Sequence, residues 1–289
     1  MAVVWKKLAY ADELHTRQHD IAAAADHNNV VTTINDPGVD TNVPTEKAVR
    51  SAIAGMSGGS AAAIRDIYRN LTLKNNVTNP NYQLDLAADE IVTQDTSYNP
   101  HIIRGLSVTV DITASGANGL DTGAEGASTW YYIWAIAKAD ATKAGLISAS
   151  STAPTMPAGY IYKALVGAFR NNGSSNFVAQ LQLDRVCVAP GGASASVVAS
   201  GTQTSATAVD CSAIVPPIAR IIGGYGASYV NDKSFYVSAT SSGLGRQQNY
   251  VPNSWGFISF TIPCPTVQNF YYWVDSGGSA NVYVTSWYY

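Results

Sequence analysis

The segment Ser128-Thr-Trp-Tyr-Tyr-Ile-Trp-Ala-Ile-Ala-Lys138 sets the hardest condition on the fold. As a strand it points Thr129, Tyr131, Ile133, Ala135 and Ala137 to one side. Trp130, Tyr132, Trp134, Ile136 and Lys138 go to the other. Neither face is polar, so both must be covered. One face is expected to meet a domain core. The other needs a loop, a helix or another chain. If identical neighbours are that cover, Trp130, Tyr132 and Trp134 lie at an oligomer interface.

Much of the remaining chain alternates with a period of two. Leu106, Val108, Val110 and Ile112 alternate with Ser107, Thr109, Asp111 and Thr113, which predicts a half-buried strand. Phe177, Ala179, Leu181 and Leu183, against Gln180, Gln182 and Asp184, predict another with its leucines inward. Pro190-Gly-Gly192 marks a domain joint. After it come short apolar runs at Ile218–Ile222, Ser234–Ala239, Trp255–Ile262, Phe270–Val274 and Asn281–Tyr289. Gly223–Gly224 is expected to be a turn, and Asp275–Ser279 the turn of a terminal hairpin. Regularly spaced short strands predict a sandwich or jelly roll.

Only residues 1–75 favour helix. Asp12–Asp26 has acidic residues early and an alanine run late. Its seam would be Tyr10, Leu14, Arg17, Ile21 and Ala24, with Leu14 and Ile21 as oligomer contacts. Thr45 can cap a short helix that Gly55 ends, and Ser60 can cap another running to Leu71. The expected fold class is therefore mainly β. A helical attachment and oligomerisation region (residues 1–78) precedes two β-sandwich, jelly-roll-like domains (79–189 and 190–289).

Charge narrows the function. Charged residues make up 13% of the chain, against about 25% in an average soluble domain. Residues 190–289 carry Arg220, Lys233, Arg246, Asp210, Asp232 and Asp275 and no other formal charge. The net charge of −3 gives no basic field for nucleic acid or anionic lipid. No apolar run reaches the length of a membrane span, and the first residues do not read as a secretory signal. Cys187, Cys211 and Cys264 fit buried thiols of a protein made in a reducing cytosol, with a Cys211–Cys264 bridge as the alternative.

Candidate chemistry is sparse. His15 and His19 share a face if residues 12–26 are helical, but no glutamate sits between them as in a zinc-protease motif. The acidic residues fall mostly in separate loops, and no nucleophile elbow or phosphate loop occurs. No catalytic residue, metal ligand or cofactor is assigned. Aromatic residues crowd the C-terminal region, where rings stack on sugars and anchor interfaces. Polar neighbours single out Tyr225, Tyr229, Asn253 and Trp255 as a candidate ligand site.

Two segments resemble virion proteins of tailed bacteriophages. Gly38–Ile53 contains Pro44-Thr-Glu-Lys-Ala-Val49, similar to a segment that recurs before fibre domains. Trp130–Phe177 is similar to a tail and fibre module: an aromatic strand, a turn here reading Ser150-Ser-Thr-Ala-Pro-Thr-Met-Pro-Ala-Gly-Tyr160, then Ala164-Leu-Val-Gly167. The resemblance implies a homotrimeric fibre or tail-tip protein, made in the host cytoplasm and carried on the virion. Its N-terminal region would attach to other virion proteins. Its C-terminal domain would face outward and bind a host-surface glycan or protein without catalysis. Two alternatives stand beside this: a head fibre or capsid decoration protein, and a glycan depolymerase with a site between subunits.

Overall fold

A computed structural model describes residues 67–189, 197–228, 230–252 and 256–289. These residues form strands and turns with no helix, so the described chain is mainly β. The expected helices at 12–26 and 45–55, with Leu14 and Ile21, lie outside the described residues. The helix expected to end at Leu71 is corrected in its last residues. Tyr68–Arg69 is a strand, and Asn70 takes a φ of 53° that turns the chain.

Eight strands form the first half: β1 (Tyr68–Arg69), β2 (Thr72–Asn75), β3 (Gln83–Gln94), β4 (Pro100–Ser115), β5 (Gly119–Leu120), β6 (Trp130–Lys138), β7 (Lys143–Ser148) and β8 (Tyr160–Arg170). β9 (Leu181–Leu183) and β10 (Val186–Val188) follow. The rest are β11 (Val197–Gly201), β12 (Thr207–Asp210), β13 (Ile221–Ser228), β14 (Lys233–Ser238), β15 (Gln247–Val251), β16 (Gly256–Pro263), β17 (Asn269–Val274) and β18 (Ala280–Tyr288).

In the first half the order is β2-β3-β4-β5-β7-β6-β8. A bridge from Gln94 to Lys163 joins β8 back to β3. The strands therefore close into a ring around one core, where two separate stacked sheets were expected. The expected strand at 106–112 lies in β4, with Leu106, Val110 and Ile112 buried. β3 buries Leu84, Leu86 and Ala88, then changes phase and buries Ile91. The change falls opposite Gly105 on β4, whose φ of 56° suits glycine. Lys143 Nζ donates to the carbonyls of Arg104 and Gly105 there, satisfying the bend.

Strand β6 answers the condition set by its sequence. Tyr131, Ile133, Ala135 and Ala137 enter the ring core with Leu86, Val110 and Phe169. Tyr132, Trp134 and Ile136 form a second cluster with Ala144, Leu146 and Ala168. Met156, Tyr160 and Ile218 pack on that cluster, and Trp134 Nε1 donates to the Ser150 carbonyl. Ser150 also holds its turn, its Oγ accepting from Ala153 N at 2.9 Å. The turn from Ser150 to Tyr160 is thus a roof over the aromatic strand. Trp130 Nε1 donates to the Ser212 carbonyl, and its ring meets Trp287 edge-on. This corrects the expected interface: Tyr132 (8% exposed) and Trp134 (6% exposed) are buried by their own chain, and Trp130 is half-buried against it.

The long sheet continues through β9 and β10 into β18, β13 and β16. β18 pairs with β13 on one side and with β10 and β11 on the other. A second sheet runs β12-β17-β14-β15. The two share one core, in which Ile222, Phe260, Val282 and Trp287 of the long sheet meet Val209, Phe235, Val237 and Phe270 of the second. Side chains also cross between them, as Gln247 Nε2 donates to Thr261 O and Asn249 Nδ2 to Phe257 O.

Three further expectations change. Leu181 and Leu183 face outward, while Gln182 is fully buried and donates to the Val166 and Asp184 carbonyls. The alternation from Phe177 breaks because residues 178–180 are not strand. Gly223–Gly224 is not a turn but lies within β13, at an irregularity in its pairing with β18. A Cβ on Gly224 would collide with the Tyr283 backbone. Asp275–Ser279 turns no hairpin, because β17 and β18 belong to different sheets and the segment crosses between layers.

Candidate functional site

The outer faces of the two C-terminal sheets differ in chemistry. On the long sheet, register aligns Leu183, Val186, Tyr288 and Ile221 in one row across four strands. The next row includes Leu181 and Val188. Leu183 is 53% exposed, and the other aliphatic members are also exposed. Further along the same face, Tyr225 stacks on Tyr283 with centroids 4.5 Å apart. Phe257, 55% exposed, meets Tyr225 edge-on at 6.0 Å. This face is apolar and almost uncharged.

The second sheet presents a polar aromatic face. In β14, Phe235 and Val237 are buried, so Tyr236 between them points outward. In β17, Phe270, Tyr272 and Val274 are buried, which turns Tyr271 and Trp273 outward. Register sets Tyr236 opposite Trp273, and their rings stack at 5.1 Å with planes 10° apart. Tyr236 OH donates to Asp275 Oδ1 at 3.0 Å. Asp275 Oδ2 accepts from Ser234 N at 2.7 Å, and this backbone bond holds its carboxyl below the usual range. Gln248 Nε2 donates to Ser234 Oγ. Burial around the rings is partial, so donors and acceptors sit beside an accessible apolar surface.

The other two carboxylates of this region are also engaged. Asp210 Oδ1 accepts from Ser212 N at 2.8 Å, which lowers its pKa. Asp232 Oδ1 accepts from Tyr250 OH at 2.9 Å, which raises the phenol's pKa. Each carboxylate therefore serves a turn or strand end. The three cysteines are free and buried. Cys211 Sγ donates to the Gln268 carbonyl and Cys264 Sγ to the Thr266 carbonyl, so the alternative of a bridge is not taken. A pocket of about 410 Å³ lies beside Trp130 and Trp287, but it is lined by Ala189 and Val197, which flank residues outside the described set.

Of the residues expected to bind ligand, Tyr225 lies on the apolar face, stacked on Tyr283. Tyr229, Asn253 and Trp255 lie outside the described residues. The sequence reading missed Tyr236 and Trp273 as a pair. Their outward positions follow from alternation in each strand, but their pairing depends on the β14–β17 register, which no local pattern shows. No protein-family model matches the chain, and no curated protein matches it.

Proposed function

We propose that the chain is a bacteriophage virion fibre or tail-tip protein whose C-terminal region is a two-layer β-sandwich that binds a host-surface glycan. The observation that carries the binding role is the Tyr236–Trp273 stack on an outer sheet face, flanked by Asp275, Ser234 and Gln248. Aromatic faces bury the apolar face of a sugar ring, while nearby polar groups fix its hydroxyls. The phage assignment rests on the similarity of Gly38–Ile53 and Trp130–Phe177 to fibre modules. Asp210 and Asp275 accept backbone N–H bonds that favour the ionised form, which suits neither to act as a general acid.

The proposed homotrimer keeps a physical basis, but at a different surface. The row Leu183, Val186, Tyr288 and Ile221, with Tyr225 and Phe257 beyond it, is the apolar face that identical copies would cover. The same face favours the second reading, a capsid decoration protein that packs against its particle.

The test is cell binding by purified protein. It should coat host cells and block phage adsorption in proportion to its concentration. Failure to bind cells, together with unchanged adsorption by phage lacking the gene, would refute the adhesin role. Immunogold label over capsids rather than tails would move the assignment to the decoration reading.

A further inference from the structure

We infer that the polar aromatic face selects acidic glycans, with Arg246 as the residue that takes their carboxylate. This rests on the glycan-binding reading above and adds a chemical class to it. Arg246 lies over the Tyr236 ring, with its guanidinium carbon 5.6 Å from the centroid. The order across the face is Trp273, Tyr236, Arg246, two stacked rings followed by a cation. A guanidinium held over a ring by its charge spends no N–H donor on that contact. The side chain of Arg246 is exposed and has no carboxylate or hydrogen-bond acceptor among the described residues. It is a donor fork held over the Tyr236 ring with no acceptor among the described residues.

A pocket of about 470 Å³ opens beside it, lined by Trp273, Ala206, Ser241, Ser242, Gly243 and Arg246. Its size falls within the range of small-ligand sites. The loop that forms its wall is internally bonded. Gly243 N donates to Thr240 O at 3.0 Å, Leu244 N to Thr240 Oγ1 at 3.1 Å and Arg246 N to Gly243 O at 3.2 Å. Ala239 N also donates to Leu244 O at 3.0 Å, closing the loop at its base. The wall is therefore built before any ligand arrives. Ala206 is small, which leaves room beside the indole. A sugar ring fits the indole surface, and its carboxylate fits the bidentate edge of the guanidinium. Asp275 on the same face is already taken up by Ser234 N and the Tyr236 hydroxyl.

The experiment is a microarray of uronate- and sialate-containing oligosaccharides printed beside the same set after chemical reduction of every carboxyl to an alcohol. Full-length protein should bind at least one acidic member and bind its reduced partner roughly tenfold or more weakly. Arg246→Gln should lose that difference while keeping the weaker binding to the reduced partner. Trp273→Ala should lose both. Equal binding to acidic and reduced partners, unaffected by Arg246→Gln, would overturn the acid selectivity and leave the glycan reading standing. Binding to no member of either set would overturn both. Arg246 is exposed on a loop, so its substitution does not endanger folding.

Discussion

The ring of Phe235 rests on the bare backbone of Gly226, across the gap between the two C-terminal sheets. A Cβ at Gly226 would run into three carbons of that ring. Phe235 is fully buried and cannot swing aside into solvent. Gly226→Ala should therefore destabilise the protein by about 1–3 kcal/mol through overpacking. Urea unfolding checks this, with Gly173→Ala as the control, since a Cβ at Gly173 meets open space. Equal stability of the two variants would show that the layers are further apart than described.

Gln182 makes a second prediction. Its amide is buried beneath β8 and donates to two carbonyls, Val166 O at 2.6 Å and Asp184 O at 2.8 Å. Gln182→Ala removes both bonds and leaves those carbonyls without that donor. The expected loss is about 2–4 kcal/mol, read as a lower midpoint of thermal or chemical unfolding. A neutral result would mean that this side chain reaches solvent.

The thiols should be silent in the native state. Burial pushes Cys187 and Cys211 up to about 12, and Cys264 is buried as well. Because the thiolate is the reactive form, a chromogenic disulfide reagent at pH 8 should label none of the three quickly. All three should react once the chain is denatured. Reducing agent should leave the unfolding midpoint unchanged. Rapid labelling of one thiol before unfolding would place that cysteine at the surface.

Acid should weaken the fold through Asp210 and Asp275. Both carboxyls lie below the ordinary value of 3.8 because backbone N–H groups donate to them. The unfolded chain takes up these protons first as pH falls, so protonation favours unfolding. Their stabilisation is complete above about pH 4 and is lost as pH drops through the folded values. The unfolding midpoint should stay level from pH 7 to 5 and then decline. Asp275→Asn should be less stable at pH 7 and lose less on acidification. Parallel curves for the two proteins would show that the Ser234 and Tyr236 bonds add nothing.

Much of this architecture is visible in local patterns, because alternation is a local property. Expected strands at 234–239, 255–262 and 270–274 coincide with β14, β16 and β17 within a residue or two. The need to cover both faces of β6 also follows from its residues alone. What covers the second face does not. Met156 and Ile218 come from distant parts of the chain, so the choice between a roof and a neighbour is a matter of long-range packing. The same limit explains Asp275–Ser279. Glycine and serine announce a reversal, yet nothing local tells whether the next strand returns to the same sheet. At the candidate site, outward Tyr236 and outward Trp273 are each legible, while their stacking awaits the register between strands. Gln182 misleads for the opposite reason, since an amide that finds two carbonyls can lie where alternation places an apolar residue.

The amides of Gln247 and Asn249, bonded to the carbonyls of Thr261 and Phe257, close the open margin of β16. An unguarded margin is a template on which a second chain can add itself, strand after strand. With these carbonyls occupied, molecules crowded side by side are steered to meet broadside, and concentration does not turn into runaway polymerisation.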